Sequence, residues 1–304
     1  MIDNETILFD RLQKIRQIIS KYGEENFYLS FSGGKDSTVL SALIDMSLPG
    51  NKIPRVYANT GIELNMVRDF VLNLHDDRVV ILQPDTPIKP MLERDGYPFK
   101  SKYHARCVND YKRSNGQLVM GKNYYECKNK RNEQNCPKML KYQFETEMPF
   151  KISQLCCNRL KKEPMHKWAI ANNKPYFISG IMADEGGQRN TAKCLALSSG
   201  KLKGFQPLAP ITKEWEEWFI EAYSITICDI YKPPYLFHRT GCKGCPFAID
   251  LQHELDALEK FFPKERKQCE IIWKPVYEEY RRLGYRLKPY KQMSIEDYMK
   301  GDNA

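Results

Sequence analysis

Residues 27–40, Phe27-Tyr28-Leu29-Ser30-Phe31-Ser32-Gly33-Gly34-Lys35-Asp36-Ser37-Thr38-Val39-Leu40, limit the fold more than any other stretch. Tyr28 to Phe31 are mostly apolar β-formers, too few for a helix of their own. Ser32-Gly33-Gly34 then breaks the pattern, and two glycines let successive N–H groups turn toward one point. Val39, Leu40, Leu43 and Ile44 recur at helical spacing, which predicts a helix starting near Lys35 to Ser37. Backbone donors, two Ser hydroxyls, the Lys ammonium and the positive end of a helix dipole meet there, and together they form a phosphate cradle. It is not a Walker loop, because Gly-x-x-x-x-Gly-Lys-Ser/Thr does not occur.

The flanking chain predicts the rest of an α/β fold. Ile7, Leu8, Leu12, Ile15, Ile18 and Ile19 form one stripe of a helix over 5–22, and Gly23 suits its end. Strands are expected at 53–58, 79–82 and 175–180, with a helix at about 63–74. This alternation predicts a parallel sheet with right-handed crossovers, in which ligands bind at the carboxyl ends of the strands. The loops after Phe31 and Ala58 are therefore expected side by side. A helix over 149–173, broken near Pro164, carries Cys156-Cys157 late in its course. Thr212 is expected to cap a helix bearing Trp215, Trp218, Phe219 and Ile220. The region 85–147 reads as irregular, and 249–283 as two helices divided by Pro263. The expected division is a catalytic domain over 1–248, with an inserted basic segment at about 100–147, and a helical extension over 249–304 packed on it.

Charge narrows the partners. The chain has 47 Lys and Arg against 38 Asp and Glu, a net +9, which favours nucleotide, tRNA or DNA. No apolar run approaches the roughly 18 residues of a membrane span. The first residues lack the basic and apolar regions of a signal peptide, so a cytoplasmic protein is expected.

Ten cysteines in a reducing compartment suggest metal or redox ligands before disulfides. Cys242-Lys243-Gly244-Cys245 is a turn that can aim two thiolates at one centre. Cys156-Cys157 supplies a second pair. Adjacent cysteines suit different corners of a cubane better than one tetrahedral zinc, which favours [4Fe–4S] over structural zinc. Cys107, Cys194, Cys228 and Cys269 read as core residues. Cys127 and Cys136 stand in the basic segment without a His pattern to complete a site.

Ser-Gly-Gly-Lys-Asp-Ser after a strand resembles the PP-loop of the ATP pyrophosphatase superfamily. Cys156-Cys157-Asn158-Arg159-Leu160-Lys161-Lys162 with Arg239-Thr240-Gly241-Cys242-Lys243-Gly244-Cys245-Pro246-Phe247 resembles the cluster pattern of APS reductases and of the wider phosphoadenosine phosphosulfate (PAPS) reductase family. Gly180 to Arg189 is similar to the family's Gly-x-x-x-x-Glu-x-x-x-Arg stretch, and Pro207-Leu208 with the Trp215/Trp218 helix to its Pro-Leu/Ile…Trp region. The resemblance spans roughly 25–285. It implies a doubly wound parallel sheet of the adenine nucleotide alpha hydrolase-like kind with a helical C-terminal part.

The resemblance also implies roles. Ser32, Gly33, Gly34, Lys35, Asp36 and Ser37 would bind the β- and γ-phosphates, with Asp36 beside Mg2+. Thr60, Gly61 and Glu63 would meet nucleotide or magnesium. Gly180, Glu185 and Arg189 would serve the α-phosphate or the activated intermediate, and Arg239 a phosphate near a cluster held by Cys156, Cys157, Cys242 and Cys245. Lys35, Asp36 and Arg189 are the implied catalytic residues. Sulfonucleotide reductases generally lack the PP-loop Lys and use a Cys in a C-terminal Glu-Cys-Gly-Leu-His tail, whereas this chain keeps Lys35 and its last cysteine is Cys269. The combination resembles the DNA phosphorothioation ATP pyrophosphatases and some tRNA thiolases, with the CC…CxxC layout closer to the DNA-modification type, since tRNA thiolases place their three cysteines differently. It implies ATP, sulfur transfer to DNA or tRNA and a cysteine desulfurase as sulfur donor. An APS/PAPS reductase and a non-catalytic nucleotide-binding subunit are the alternatives.

Overall fold

The centre of the sheet is β1 (Phe27–Phe31), with β2 (Arg55–Ala58) and β3 (Val79–Leu82) on one side. On the other lie β4 (Tyr176–Ile178), β6 (Lys201–Phe205) and, at the edge, β5 (Leu195–Ser198). The computed structural model describes residues 3–129, 134–185 (without the Glu185 side chain), 190–238 and 240–289. Every strand pair is parallel except β5 with β6. The order β3-β2-β1-β4-β6-β5 makes β1 and β4 the pair at which the winding reverses, where an open sheet leaves a crevice at its carboxyl ends.

Helices cover both faces because β1 is apolar on both. Phe27, Leu29 and Phe31 share a core with Ile15 and Ile19 of α1 (Asn4–Tyr22), Leu40, Leu43 and Ile44 of α2 (Lys35–Ser47), and Trp215 and Phe219 of α9 (Lys213–Ala222). On the opposite face Tyr28 and Val56 pack with Ala169, Met165 and Trp168 of α8 (Glu163–Ala171). Each such fully buried large side chain contributes roughly 1.5–3 kcal/mol. The expected doubly wound α/β class is what these contacts build. The antiparallel β5–β6 hairpin was not expected from the sequence. Ser199 and Gly200, both at positive φ (49° and 75°), form its turn.

Two compact units result. The core unit comprises residues 1–88 and 157–242, and the helical unit 89–156 and 243–304. The basic segment expected as an irregular insertion is helical: α4 (Ile88–Asp95), α5 (Lys102–Arg113), α6 (Val119–Glu126) and the short α7 (Tyr142–Glu145). It shares its unit with the C-terminal helices because Phe99 packs on Tyr280, ring centroids 4.7 Å apart, and the Lys100 N–H donates to the Tyr280 hydroxyl at 2.7 Å. Those C-terminal helices are three, not two: α10 (Leu251–Phe261), α11 (Pro263–Ile272) and α12 (Lys274–Leu283). Pro275 near the start of α12 makes the second break, as Pro263 makes the first.

Candidate active site

The strand–loop–helix of 27–47 closes on itself as a tight anion-type loop. Gly33 sits at φ +69°, and a Cβ there would stand 2.4 Å from Val71 Cγ2, so both conformation and space require glycine. The Ser32 N–H donates to Ser37 Oγ at 3.2 Å, the two hydroxyl oxygens are 3.0 Å apart, and the Gly34 N–H donates to Ser32 Oγ at 3.2 Å. A Cβ on Gly34 would crowd Thr240 Oγ1 and Tyr231 Oη, each at 3.2 Å. Those two oxygens are themselves 2.5 Å apart. Gly180, at the end of β4, has a packing reason to be glycine. A Cβ there would stand 2.9 Å from the Asp36 carbonyl oxygen, so the β4 loop lies directly against the first turn of α2.

One central residue escaped sequence analysis. The Lys35 ammonium stands 2.7 Å from Glu216, which is wholly buried. Beyond this ion pair, the charged neighbour of Glu216 is Asp36. Burial and the neighbouring Asp36 charge push the Glu216 carboxyl up to about 7, against the opposing pull of Lys35. Glu216 is where it is because Thr212 caps α9, accepting the Trp215 N–H at 3.3 Å, and Trp215 and Phe219 pin the helix to the core. Glu216 and Glu217 both stand between Trp215 and Trp218, and only position 216 follows Trp215 onto the buried side of the helix. Ser179 Oγ, one residue before Gly180, is a buried polar atom without a partner among the described residues. Paired hydroxyls, an ammonium and an unpartnered hydroxyl at the sheet's reversal point fit a nucleotide polyphosphate.

Beside the loop, Thr60 donates its N–H to Glu63 Oε2 at 3.0 Å and its hydroxyl to Oε1 at 2.6 Å. Gly61 between them is at φ +76°. Lys161 lies 3.4 Å from Glu63 Oε1, and Glu63 forms an antiparallel bridge with Cys242. Burial works against the Lys161 ammonium, but Cys242, Glu63 and Cys157 outweigh it and raise its pKa. Two of the four expected ligands, Cys157 and Cys242, thus act electrostatically on one cation within the core unit. Cys156-Cys157 opens its helix and does not end it, because Ile152 is engaged by a parallel bridge to Tyr97. A π-helical stretch, Asn158–Lys162, follows and carries Lys161. Such stretches are frequent at functional sites.

Cys156 and Cys245 belong to the helical unit, where side chains clamp the turn backbone. The Gly244 N–H donates to Glu254 at 2.8 Å, Trp273 donates to the Lys243 carbonyl at 3.1 Å, Tyr277 to that of Gly244, and Tyr280 to that of Pro246 at 2.8 Å. Lys243 itself is buried in an ion pair with Glu265 at 2.7 Å. Gly244 is at φ +59°, with a Cβ position 2.4 Å from the Tyr277 hydroxyl. Among the described residues no group of three or more His, Cys, Asp and Glu side chains is arranged to hold a metal ion. Arg189, Arg239 and the Glu185 side chain lie outside the described residues.

No family model matches the chain, and no curated protein does. Solved structures resemble it loosely. A PAPS reductase from Candida auris in a phosphate complex is 11% identical, with a TM-score of 0.40 over 76% of this chain and 91% of that one. The U34-tRNA thiolase NcsA from Methanococcus maripaludis, with its [4Fe-4S] cluster, is 15% identical, with a TM-score of 0.39 over 92% and 80%. An NH3-dependent NAD synthetase from Campylobacter jejuni, in complex with nitrate, is 12% identical, with a TM-score of 0.40 over 90% and 94%. No helix among the described residues is long and apolar enough to cross a membrane.

Proposed function

We propose that the chain is a PP-loop ATP pyrophosphatase that adenylates an acceptor for sulfur transfer, with nucleic acid as the acceptor class. The observation that carries this reading is the intact Ser32–Ser37 loop at the β1/β4 reversal, with Lys35 held beside it by buried Glu216. In the proposed reaction an acceptor oxygen attacks the α-phosphorus, the α–β bridge breaks, and pyrophosphate leaves. Charge accumulates on that leaving group, where Lys35 and the N-terminus of α2 would stabilise it. Asp36 would hold Mg2+, which shares the same load. Glu185, Arg189 and Arg239 retain their implied roles toward phosphate.

The sequence pattern of Cys156, Cys157, Cys242 and Cys245 supports a [4Fe–4S] cluster. When bound, a cluster would supply sulfur or redox chemistry; a cysteine desulfurase is the proposed donor. A sulfonucleotide reductase is less well supported. Lys35 is retained, and Cys269 is buried, its thiol pushed up to about 12 by that burial, which leaves it inert as a nucleophile. ATP-dependent pyrophosphate release tests the reading. Lys35→Ala should abolish it, and release at the wild-type rate from that variant overturns the assignment. Iron and acid-labile sulfide in anaerobically purified protein test the cluster, and one zinc per colourless chain rejects it.

A further inference from the structure

The chain's positive charge is segregated. The helical unit has 26 Lys and Arg against 18 Asp and Glu, a net +8, whereas the core unit has 21 against 20. Within the helical unit one corner combines charge with exposed apolar side chains. Leu118, Val119 and Met120, leading into and opening α6, are 47%, 68% and 39% exposed. Scattered apolar residues on a surface are ordinary, but three large ones in succession are not.

The corner is rigid. Asn115 and Gly116 turn the chain at φ 47° and 77°, the Gly116 N–H donates to the Tyr111 carbonyl at 2.9 Å, and the Leu118 N–H donates to Ser114 Oγ at 3.0 Å. The two helices approach so closely that a Cβ on Gly121 would stand 2.8 Å from the Cys107 carbonyl oxygen. Arg113 and Lys122 flank the apolar tip, both exposed and neither in an ion pair among the described residues. Lys122 follows Leu118 by four residues and Val119 by three, so it shares their face of the helix. Nearby, Arg106 pairs with Asp110 and Lys128 with Glu126, a carboxylate on which Lys122 also acts electrostatically.

We infer that the α5–α6 corner is a nucleic-acid contact, with Arg113 and Lys122 on phosphodiester oxygens and Leu118, Val119 and Met120 against bases. Cations supply the sequence-independent attraction, and exposed aliphatic side chains act as wedges or stacking surfaces between bases. Preformed geometry spares the complex the entropy of ordering the corner. A basic cleft of about 770 Å³ in the same unit, which includes Lys89, Lys274 and Lys288, fits less well. There Arg266 and Arg281 both bind Glu270, and Lys274 lies 3.8 Å from Glu278. The inference rests on the proposed function only in taking nucleic acid as the acceptor.

The test is fluorescence anisotropy of the full chain without ATP, against labelled duplex DNA, a tRNA and, by sedimentation, vesicles containing anionic lipid. Binding to either polymer is expected. R113E/K122E should weaken it at least tenfold and lower the slope of log K against log salt by about 2. Replacing Leu118, Val119 and Met120 with Ser should weaken binding several-fold with the slope unchanged. Both variants should release pyrophosphate at the wild-type basal rate. Wild-type affinity in R113E/K122E, loss of affinity in K89E/K288E in its place, or vesicle binding without polymer binding overturns the inference. A chain that binds nucleic acid but releases no pyrophosphate fails the proposed function and leaves this contact standing.

Discussion

The Lys35 ammonium lies 2.7 Å from a Glu216 carboxylate that solvent does not reach. The lysine proposed to bind phosphate is thus held by a buried anion whose own pKa stands near neutrality, at about 7. A nucleotide that draws Lys35 toward its phosphates strips Glu216 of its counter-charge, and a lone buried carboxylate takes a proton.

ATP binding is therefore predicted to consume protons. At pH 7.5 Glu216 is mostly ionised beforehand, so calorimetry in buffers of different ionisation enthalpy should give an uptake of about half to one proton per site. Below about pH 6 the group is already protonated and the uptake should vanish. Glu216→Gln should abolish the uptake at every pH, and an unchanged value in that variant contradicts the coupling.

Two glycines should respond differently to alanine. At Gly33 the positive φ and the 2.4 Å approach to Val71 predict a loss of roughly 1–3 kcal/mol of stability from backbone strain alone. At Gly180 the added methyl meets the Asp36 backbone and displaces the first turn of α2. Gly180→Ala should reduce pyrophosphate release at least tenfold with a smaller fall in melting temperature, read by parallel kinetics and thermal denaturation.

His104 predicts an acid-sensitive helical unit. It is fully buried, with Nδ1 2.9 Å from the Tyr124 hydroxyl and Nε2 2.8 Å from Gln143 Oε1. Burial lowers its pKa to about 4, so the unfolded chain, near 6.5, binds the proton first. The stability His104 contributes is complete above about pH 6.5 and is lost as pH falls toward 4, up to about 3 kcal/mol. Urea midpoints at pH 7.5 and 5 should differ more in wild type than in His104→Asn.

Clamping of the Cys242–Cys245 turn predicts protection of Cys245. Tyr277→Phe leaves the buried Gly244 carbonyl without the donor it now has, at a cost of about 1–3 kcal/mol. Alkylation of Cys245 under native conditions, followed by mass spectrometry, should accelerate several-fold. An unchanged rate would falsify the clamp.

What the sequence disclosed follows from how local each signal is. The β1–loop–α2 unit is encoded within 21 consecutive residues, 27–47, and its strand ends and its helix begins where periodicity and glycine place them. Thr212 caps α9 for a similar reason. Glu216 could not be assigned, because its partner is 181 positions away and a Glu on a Trp-rich helix reads as solvent-facing. The helices of 89–126 were hidden by their charge, since Lys and Arg hold the exposed faces while His104, Cys107 and Tyr124 are buried. The β5–β6 strands are only four and five residues long, too short for alternation to stand out. Lys161 lay in plain view beside the cysteines, but its role depends on Glu63 and Cys242 arriving from elsewhere in the chain.

Ser32 and Ser37 bond each other across the loop, and the Gly34 N–H donates to the Ser32 hydroxyl. A phosphate entering there exchanges one satisfied set of hydrogen bonds for another, so its net gain per bond is small. The expected consequence is a loop that grips its ligand weakly in the ground state and lets pyrophosphate go quickly. Such a site is suited to repeated turnover more than to storage of a nucleotide.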